Sequence, residues 1–192
     1  LEVPPLHPVL IATKLTGLAQ SHAALMQQFN QLQVVIALLR DGFHPDSQGG
    51  TVLLSDHGEP AVDYPISDYL WQGVQKAYLA MAEIQFAAGA KSVLPIHQDA
   101  KLYSSWRQAR EAIKALPLQK YRATLASAHV MGGCNLSANP DKGVVNLQGR
   151  HHQLENLSVF DGSVFASSLG ANPQLTIYAL TLRNTAALIK IL

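Results

Sequence analysis

The segment that starts at Pro173 constrains the fold more than any other. Leu175, Tyr178, Ala179, Leu182, Ala186 and Ile189 recur three and four residues apart, on one helical face. Ile177, Leu180 and Leu188 make the other sides apolar as well. A helix apolar on most sides belongs between layers, so the pattern predicts a terminal helix sandwiched in the fold rather than lying at a surface. Asn172 suits its N-cap. Pro173 suits the first helical position, where a missing N–H is no loss.

The other elements read as follows. The stretch holding Pro4, Pro5 and Pro8 predicts extended or irregular chain, and 15–29 a helix with Leu18, Leu25 and Phe29 broadly on one side. The β-branched run 33–40 predicts a buried strand. Residues 51–55 and 61–65 predict two more strands about an Asp56-His57-Gly58 turn, so that 34–65 forms an antiparallel meander. The clearest helix follows, capped by Ser67 or Asp68 and stopped by Gly89, with Leu70, Val74, Ala77, Met81, Ile84 and Ala88 on its face. Residues 92–96 predict a short strand. A helix then starts at Ser104 or Ser105, with Trp106, Ala109, Ile113 and Leu116 on one side. Beyond about residue 120 the segments shorten. Residues 129–146 read as a loop with strand pieces, 157–160 as a strand, and 161–171 as a Gly/Ser-rich loop.

Composition excludes several functions. The chain has 192 residues, 48% hydrophobic, with 14 Lys and Arg against 13 Asp and Glu, for a net charge of +1. That balance offers no general attraction to nucleic acid or anionic lipid. Only 14% of residues are charged, against about 25% in ordinary domains, which suggests surface made to be covered. Cys134 is the only cysteine, so there is no internal disulfide and no CxxC metal knuckle. No histidine spacing suggests a metal site. The longest aliphatic run, 34–39, is far short of the roughly 20 residues that span a bilayer. The N-terminal residues lack an initiator Met and a basic signal region. They read as a chain starting partway through something, and a cytoplasmic location is expected.

Two clusters could carry chemistry. One is Ala128-His129-Val130-Met131-Gly132-Gly133-Cys134. His129 is the side-chain type best able to shuttle a proton near neutral pH, or it is a hydrogen-bonded, partly buried histidine. Cys134 could pair with His129 as a nucleophile or be a small buried thiol. The other cluster is Asp161-Gly162-Ser163, followed by Asn172-Pro173 at a helix start. Free amides and a positive dipole end there suit an anionic ligand atom, although caps occur at most helix starts.

The order of these pieces carries more than either cluster alone. His129-x-Met131-Gly132-Gly133-Cys134 leads to Gly143-Val144-Val145 and Gly149-Arg150. Then come Glu155-Asn156-Leu157-x-Val159-x-Asp161-Gly162-Ser163, Gly170-x-Asn172-Pro173 and Thr176-Ile177-x-Ala179-Leu180. This order and spacing resemble the C-terminal signature of the glucose–methanol–choline (GMC) flavoprotein oxidoreductases. Upstream, Leu38-Leu39-Arg40-Asp41, Asp63-Tyr64-Pro65-Ile66 and Phe86-Ala87-Ala88-Gly89-Ala90 are similar to the family's substrate-binding region. The chain departs from the family at Leu136 and Ser137, where Met and Gly are usual, at Asn146 for Asp, and at Ala166 for Pro. The His-x-Met-Gly-Gly-Cys form looks more like the cholesterol-oxidase and long-chain-alcohol-oxidase branch than the sugar oxidases.

The resemblance implies FAD-dependent oxidation of an alcohol CH–OH group to a carbonyl, by hydride transfer to the flavin. It makes His129 the base and Asn172 its catalytic partner, the latter where many members have His. It implies that Asp161, Gly162, Asn172 and Pro173 contact FAD, and that a hydrophobic alcohol is the substrate. No metal is implied. The fold implied is α+β. Residues 1–120 form the substrate-side portion, an antiparallel sheet backed by helices. Residues 121–192 return to complete an FAD-binding α/β domain. The family's GxGxxG, which holds the ADP half of FAD, does not occur in this sequence. A missing N-terminal FAD-binding portion is therefore expected as a partner, and the isolated chain is expected to be inactive. Two alternatives remain: a truncated, non-catalytic fragment acting only as a folded binding module, and a Cys/His hydrolase using Cys134 and His129.

Overall fold

A computed structural model describes residues 1–191. The described chain is α+β, with five α-helices and one two-stranded antiparallel sheet. It divides into two compact units. The first comprises Leu1–Leu39 and Ile66–Ala126, the second Arg40–Pro65 and Ser127–Leu192.

In the first unit, α1 is Pro8–Lys14 and α2 is Gln20–Met26. The helix expected over 15–29 and the irregular start expected around Pro8 are both corrected. Pro8 begins α1, a position that needs no amide donor. Between the two helices Gly17 and Ala19 take positive φ, +105° and +50°, which no helix accommodates. The strand expected over 33–40 reduces to one bridge, in which Ile36 and Glu2 exchange two 2.9 Å bonds. Pro4 and Pro5 beside Glu2 have no N–H to extend such a ladder. The meander expected over 34–65 is thereby reduced to a single hairpin in the second unit. Likewise 92–96 makes one bridge, Val93 to Tyr103, with Pro95 two residues on.

Helix α3, Asp68–Ala87, starts as its sequence predicts, with Ser67 accepting from Leu70 N–H at 3.4 Å. It ends at Gly89, φ +94°, where Ala90 N–H reaches Gln85 O and Gly89 N–H reaches Phe86 O. This double closure satisfies carbonyls of the last turn. Its buried face, however, is Leu70, Val74, Tyr78 and Ala82, with Ile84 48% exposed. The stripe rotates toward Tyr78 because that ring is apolar and its hydroxyl has an acceptor, Ile96 O at 2.8 Å. Helix α4, Trp106–Ala115, is capped by Ser105 and packs Ala109 and Ile113, both fully buried, against Val74, Tyr78 and Ala82. Ala123 completes that core.

In the second unit, β1 (Thr51–Leu54) pairs with β2 (Pro60–Asp63) about the expected turn, and both strands are exposed along their whole length. The strand expected over 157–160 makes only the Arg150–Ser158 bridge. Chain turns sharply at Gly149, φ +79°, on the opposite side of that bridge. Helix α5 is Gln174–Ile189. Its expected apolar face is not sandwiched within the described chain: Leu175 is 80% exposed, Leu182 71% and Ile189 67%. The helix turns its other side inward instead. Asn184 is buried, and Thr181 Oγ1 donates to Phe160 O at 2.9 Å. Ile177, Leu180 and Leu188 are half-buried on that inner side, the buried Asn184 amide nitrogen has no partner among the described residues, and the apolar stripe is left outside. No described helix is long and apolar enough to cross a membrane.

Candidate active site

The second unit brings the two clusters together. Gly132 N–H donates to Gly162 O at 3.2 Å, Cys134 N–H to Ser163 O at 2.9 Å, and Leu136 N–H to Val164 O at 2.9 Å. Three bonds thus stitch the segment after His129 to the short 3-10 turn Gly162–Val164. The glycines make this possible. Gly132 and Gly133 take φ +90° and +104° in succession, a path that side chains with a Cβ rarely follow. Gly162 is buried, and a Cβ there would lie 2.9 Å from Val130 O and 3.3 Å from Ile177 Cδ1. Close backbone approach is what this residue provides.

Around that seam are two adjoining clefts, of about 450 and 340 Å³, which share His129, Pro173 and Ile177. Asp161, Gly162 and Ser163 line one, and Asn172 lines the other. All five expected site residues therefore line a single continuous region. Val130, Met131, Ile177 and Tyr178 give it apolar walls. Cys134 lines neither cleft.

Each expected residue has its own environment. His129 is half-buried, and its ring has no hydrogen-bond partner among the described residues. Asp161 Oδ1 is already engaged, accepting from Ser163 N–H at 2.8 Å and Ser163 Oγ at 2.5 Å. Asn172 corrects an expectation: it makes no side-chain cap, and α5 begins with Pro173 in helical geometry. Proline already fixes φ at that point, so the turn forms without a capping side chain. The first intrahelical bond into that carbonyl is Ile177 N–H to Pro173 O at 2.9 Å. The amides of Gln174, Leu175 and Thr176 have no acceptor among the described residues, as at any uncapped helix start.

These donors fit a flat cofactor with an anionic edge. Free amides at a helix N-terminus, of which Gln174 lines the second cleft, suit negative charge, apolar side chains suit a ring face, and His129, with no hydrogen-bond partner among the described residues, lines both clefts. Among the described residues no group of His, Cys, Asp and Glu could hold a metal ion. The sequence signal missed Ser163 as the partner of Asp161, and Ile177 as a wall shared by both clefts. Ile177 sits one turn into a helix whose apolar residues all look alike, so nothing in the pattern singles it out.

Comparison with known proteins gives a consistent picture. The GMC oxidoreductase family matches residues 45–181. An uncharacterized GMC-type oxidoreductase of Sinorhizobium fredii is 30% identical over 141 residues, 72% of this chain and 27% of that protein. A long-chain-alcohol oxidase of Arabidopsis thaliana is 24% identical over 188 residues, 94% of this chain and 25% of that protein. A cholesterol oxidase of Acinetobacter baumannii is 49% identical over 57 residues, 30% of this chain and 10% of that protein. The chain spans about a quarter of the length of the first two relatives.

Proposed function

The chain belongs to the GMC oxidoreductase family, and on that premise we propose that it is the substrate- and flavin-facing region of an FAD-dependent alcohol oxidoreductase. The observation that carries this is the shared cleft of His129, Asn172, Pro173 and the Asp161–Ser163 turn. FAD, when bound, supplies the two-electron acceptor.

The residues divide the remaining work. His129 accepts the hydroxyl proton of the alcohol at a ring nitrogen, the step that raises electron density on oxygen and readies the C–H bond for oxidation. Its unpartnered ring leaves one nitrogen for substrate. Asn172, exposed beside it, donates its amide to the substrate oxygen and holds the alcohol in line. The free amides at the start of α5, with Gln174 lining the second cleft, would stabilise negative charge on a bound flavin. Gly162 keeps the His129 segment close, and Asp161 has Oδ2 for a cofactor contact, Oδ1 being taken by Ser163. Val130, Met131 and Tyr178 suit a hydrophobic alcohol, in keeping with the names of the long-chain-alcohol and cholesterol oxidases it resembles. Residues 1–120 supply the substrate side and 121–192 the flavin side. The ADP half of FAD is held by residues outside this sequence, so the 192-residue chain alone binds no flavin.

The test uses the full-length protein, with bound flavin followed by absorbance while long-chain and sterol alcohols are added without oxygen. Alcohols bleach the wild-type flavin. His129→Gln keeps its flavin and bleaches slower by a factor of about 10²–10⁴. Bleaching at the wild-type rate in that variant would overturn the assignment. Loss of a hydrolytic activity on alkylating Cys134 would favour the thiol alternative.

A further inference from the structure

The loop that leads into α5 is covered by a side chain from far away in the sequence. Arg40 forms no ion pair among the described residues. Its guanidinium lies over the Phe43 ring, 4.7 Å from the centroid. Its other near neighbour is the backbone of Gly170, which takes φ +72°. A Cβ built on Gly170 would fall inside the guanidinium group. Arg40 thus lies against both an aromatic ring and a bare stretch of backbone, two residues before Asn172.

The platform beneath Arg40 is tied down. The Asp41 carboxylate accepts from Gly42 N–H at 2.8 Å, from the Ser47 hydroxyl and from the Tyr64 hydroxyl just after β2. Gly42 N–H also reaches Ser47 O at 2.8 Å. A Cβ on Gly42 would sit 3.7 Å from Ser167 Cα, so the same loop touches the 167–170 stretch at a second point. One exposed arginine on one mobile loop would be unremarkable. Here the carboxylate beside it fixes its loop, and two contacts carry that rigidity to the chain before Asn172.

We propose that Arg40 is a positioning residue, whose guanidinium, in contact with both Phe43 and Gly170, fixes the Gly170–Asn172 backbone and so aims the Asn172 amide. This rests on the role given above to Asn172. Arginine is the requirement, because its broad guanidinium reaches both neighbours at once where a lysine ammonium is a compact point charge.

The test compares Arg40→Ala, Arg40→Lys, Gly170→Ala and the double variant Arg40→Ala/Gly170→Ala in the full-length protein. Arg40→Ala is expected to raise amide hydrogen exchange across 168–172 by about tenfold. It is also expected to slow anaerobic cofactor reduction by alcohol about tenfold, with flavin retained. Arg40→Lys should rescue neither. The double variant should be no slower than Gly170→Ala alone, since the two residues share one contact. Arg40→Gln replaces Arg40→Ala if the latter does not fold. An unchanged reduction rate, with or without a change in exchange, overturns the proposal. So does rescue by lysine, or additivity of the two single variants. His129→Gln is measured beside them. If it reduces flavin at the wild-type rate, the functional reading fails instead, and the exchange data still judge Arg40.

Discussion

The backbone amide of Cys134 donates to the carbonyl of Ser163 at 2.9 Å. That bond sits in the middle of the seam joining the His129 segment to the Gly162–Val164 turn, and the seam has no room for an added side chain at Gly162.

Gly162→Ala tests the seam directly. The new methyl would lie 2.9 Å from Val130 O, a backbone atom that cannot swing aside, and 3.3 Å from Ile177 Cδ1. Overpacking of this kind costs about 1–3 kcal/mol. The expected outcome is a lower unfolding midpoint in denaturant, together with weaker flavin binding by the full-length protein. A variant as stable as wild type would show that the segments part without cost.

The contrast between this seam and α5 shows what the sequence made legible. Gly132, Gly133, Asp161, Gly162, Asn172 and Pro173 are residue types with few roles, so their order pointed to one region, and all but Gly133 line the clefts. The α3 caps at Ser67 and Gly89 were readable for the same reason: each satisfies a specific backbone group. Which side of an apolar helix is buried was not readable. Tyr78 took the α3 core place of Ala77 because Ile96 O offered its hydroxyl an acceptor. On the inward side of α5, Thr181 bonds to Phe160 O, while Ile177, Leu180 and Leu188 are half-buried beside the Asn184 amide, unpaired among the described residues. The extended runs at 33–40, 92–96 and 157–160 look like strands because β-branched residues favour extended chain. A strand also needs a partner with free amides, and prolines removed those at two of the three places.

Tyr78 makes stability fall in alkali. Burial pushes its phenol up to about 12, partly offset by the Thr124 amide. In the unfolded chain the phenol titrates near its ordinary value of 10.0. Between about pH 10 and 12 the unfolded state has released this proton and the folded state has kept it. Stability from this group is therefore complete below pH 10 and is lost as pH rises toward 12. Tyr78→Phe should flatten that part of the stability-versus-pH curve. At neutral pH it should cost about 1 kcal/mol, because the hydrogen bond to Ile96 O is lost, that carbonyl keeping the Thr124 amide at 3.2 Å. An equally steep alkaline decline in the variant would assign the loss to other groups.

His97 holds the first unit together from a fully buried position. Its Nε2 faces Pro117 O at 3.0 Å, an acceptor, so that nitrogen carries the proton. Nδ1 then accepts from Asp99 N–H at 3.1 Å. Beside it Arg122 pairs with Asp99 at 2.6 Å, closing the same corner. His97→Leu fills the space but removes both hydrogen bonds, from the Pro117 carbonyl and the Asp99 amide, each worth about 0.5–1.5 kcal/mol. The expected loss of unfolding free energy is at least that of one such bond, about 1 kcal/mol or more. Chemical denaturation reads it, and a neutral substitution would mean that water replaces both bonds.

The exposed stripe of α5 predicts the behaviour of the 192-residue chain in solution. Leu175 and Leu182 are 80% and 71% exposed, one about two turns from the other on the same face as Tyr178. A contiguous apolar patch promotes self-association, and only 14% of the chain's residues are charged to oppose it. Leu182→Lys should lower the light scattering of concentrated protein. Its unfolding midpoint should move by no more than about 0.5 kcal/mol equivalent, since the side chain makes few contacts to lose. In the full-length protein the same change is expected to weaken flavin retention if another part of the molecule covers this face. Unaltered scattering in the short chain would locate the sticky surface elsewhere, with the β1–β2 hairpin, whose Val52, Leu54 and Val62 are also exposed, the next to change.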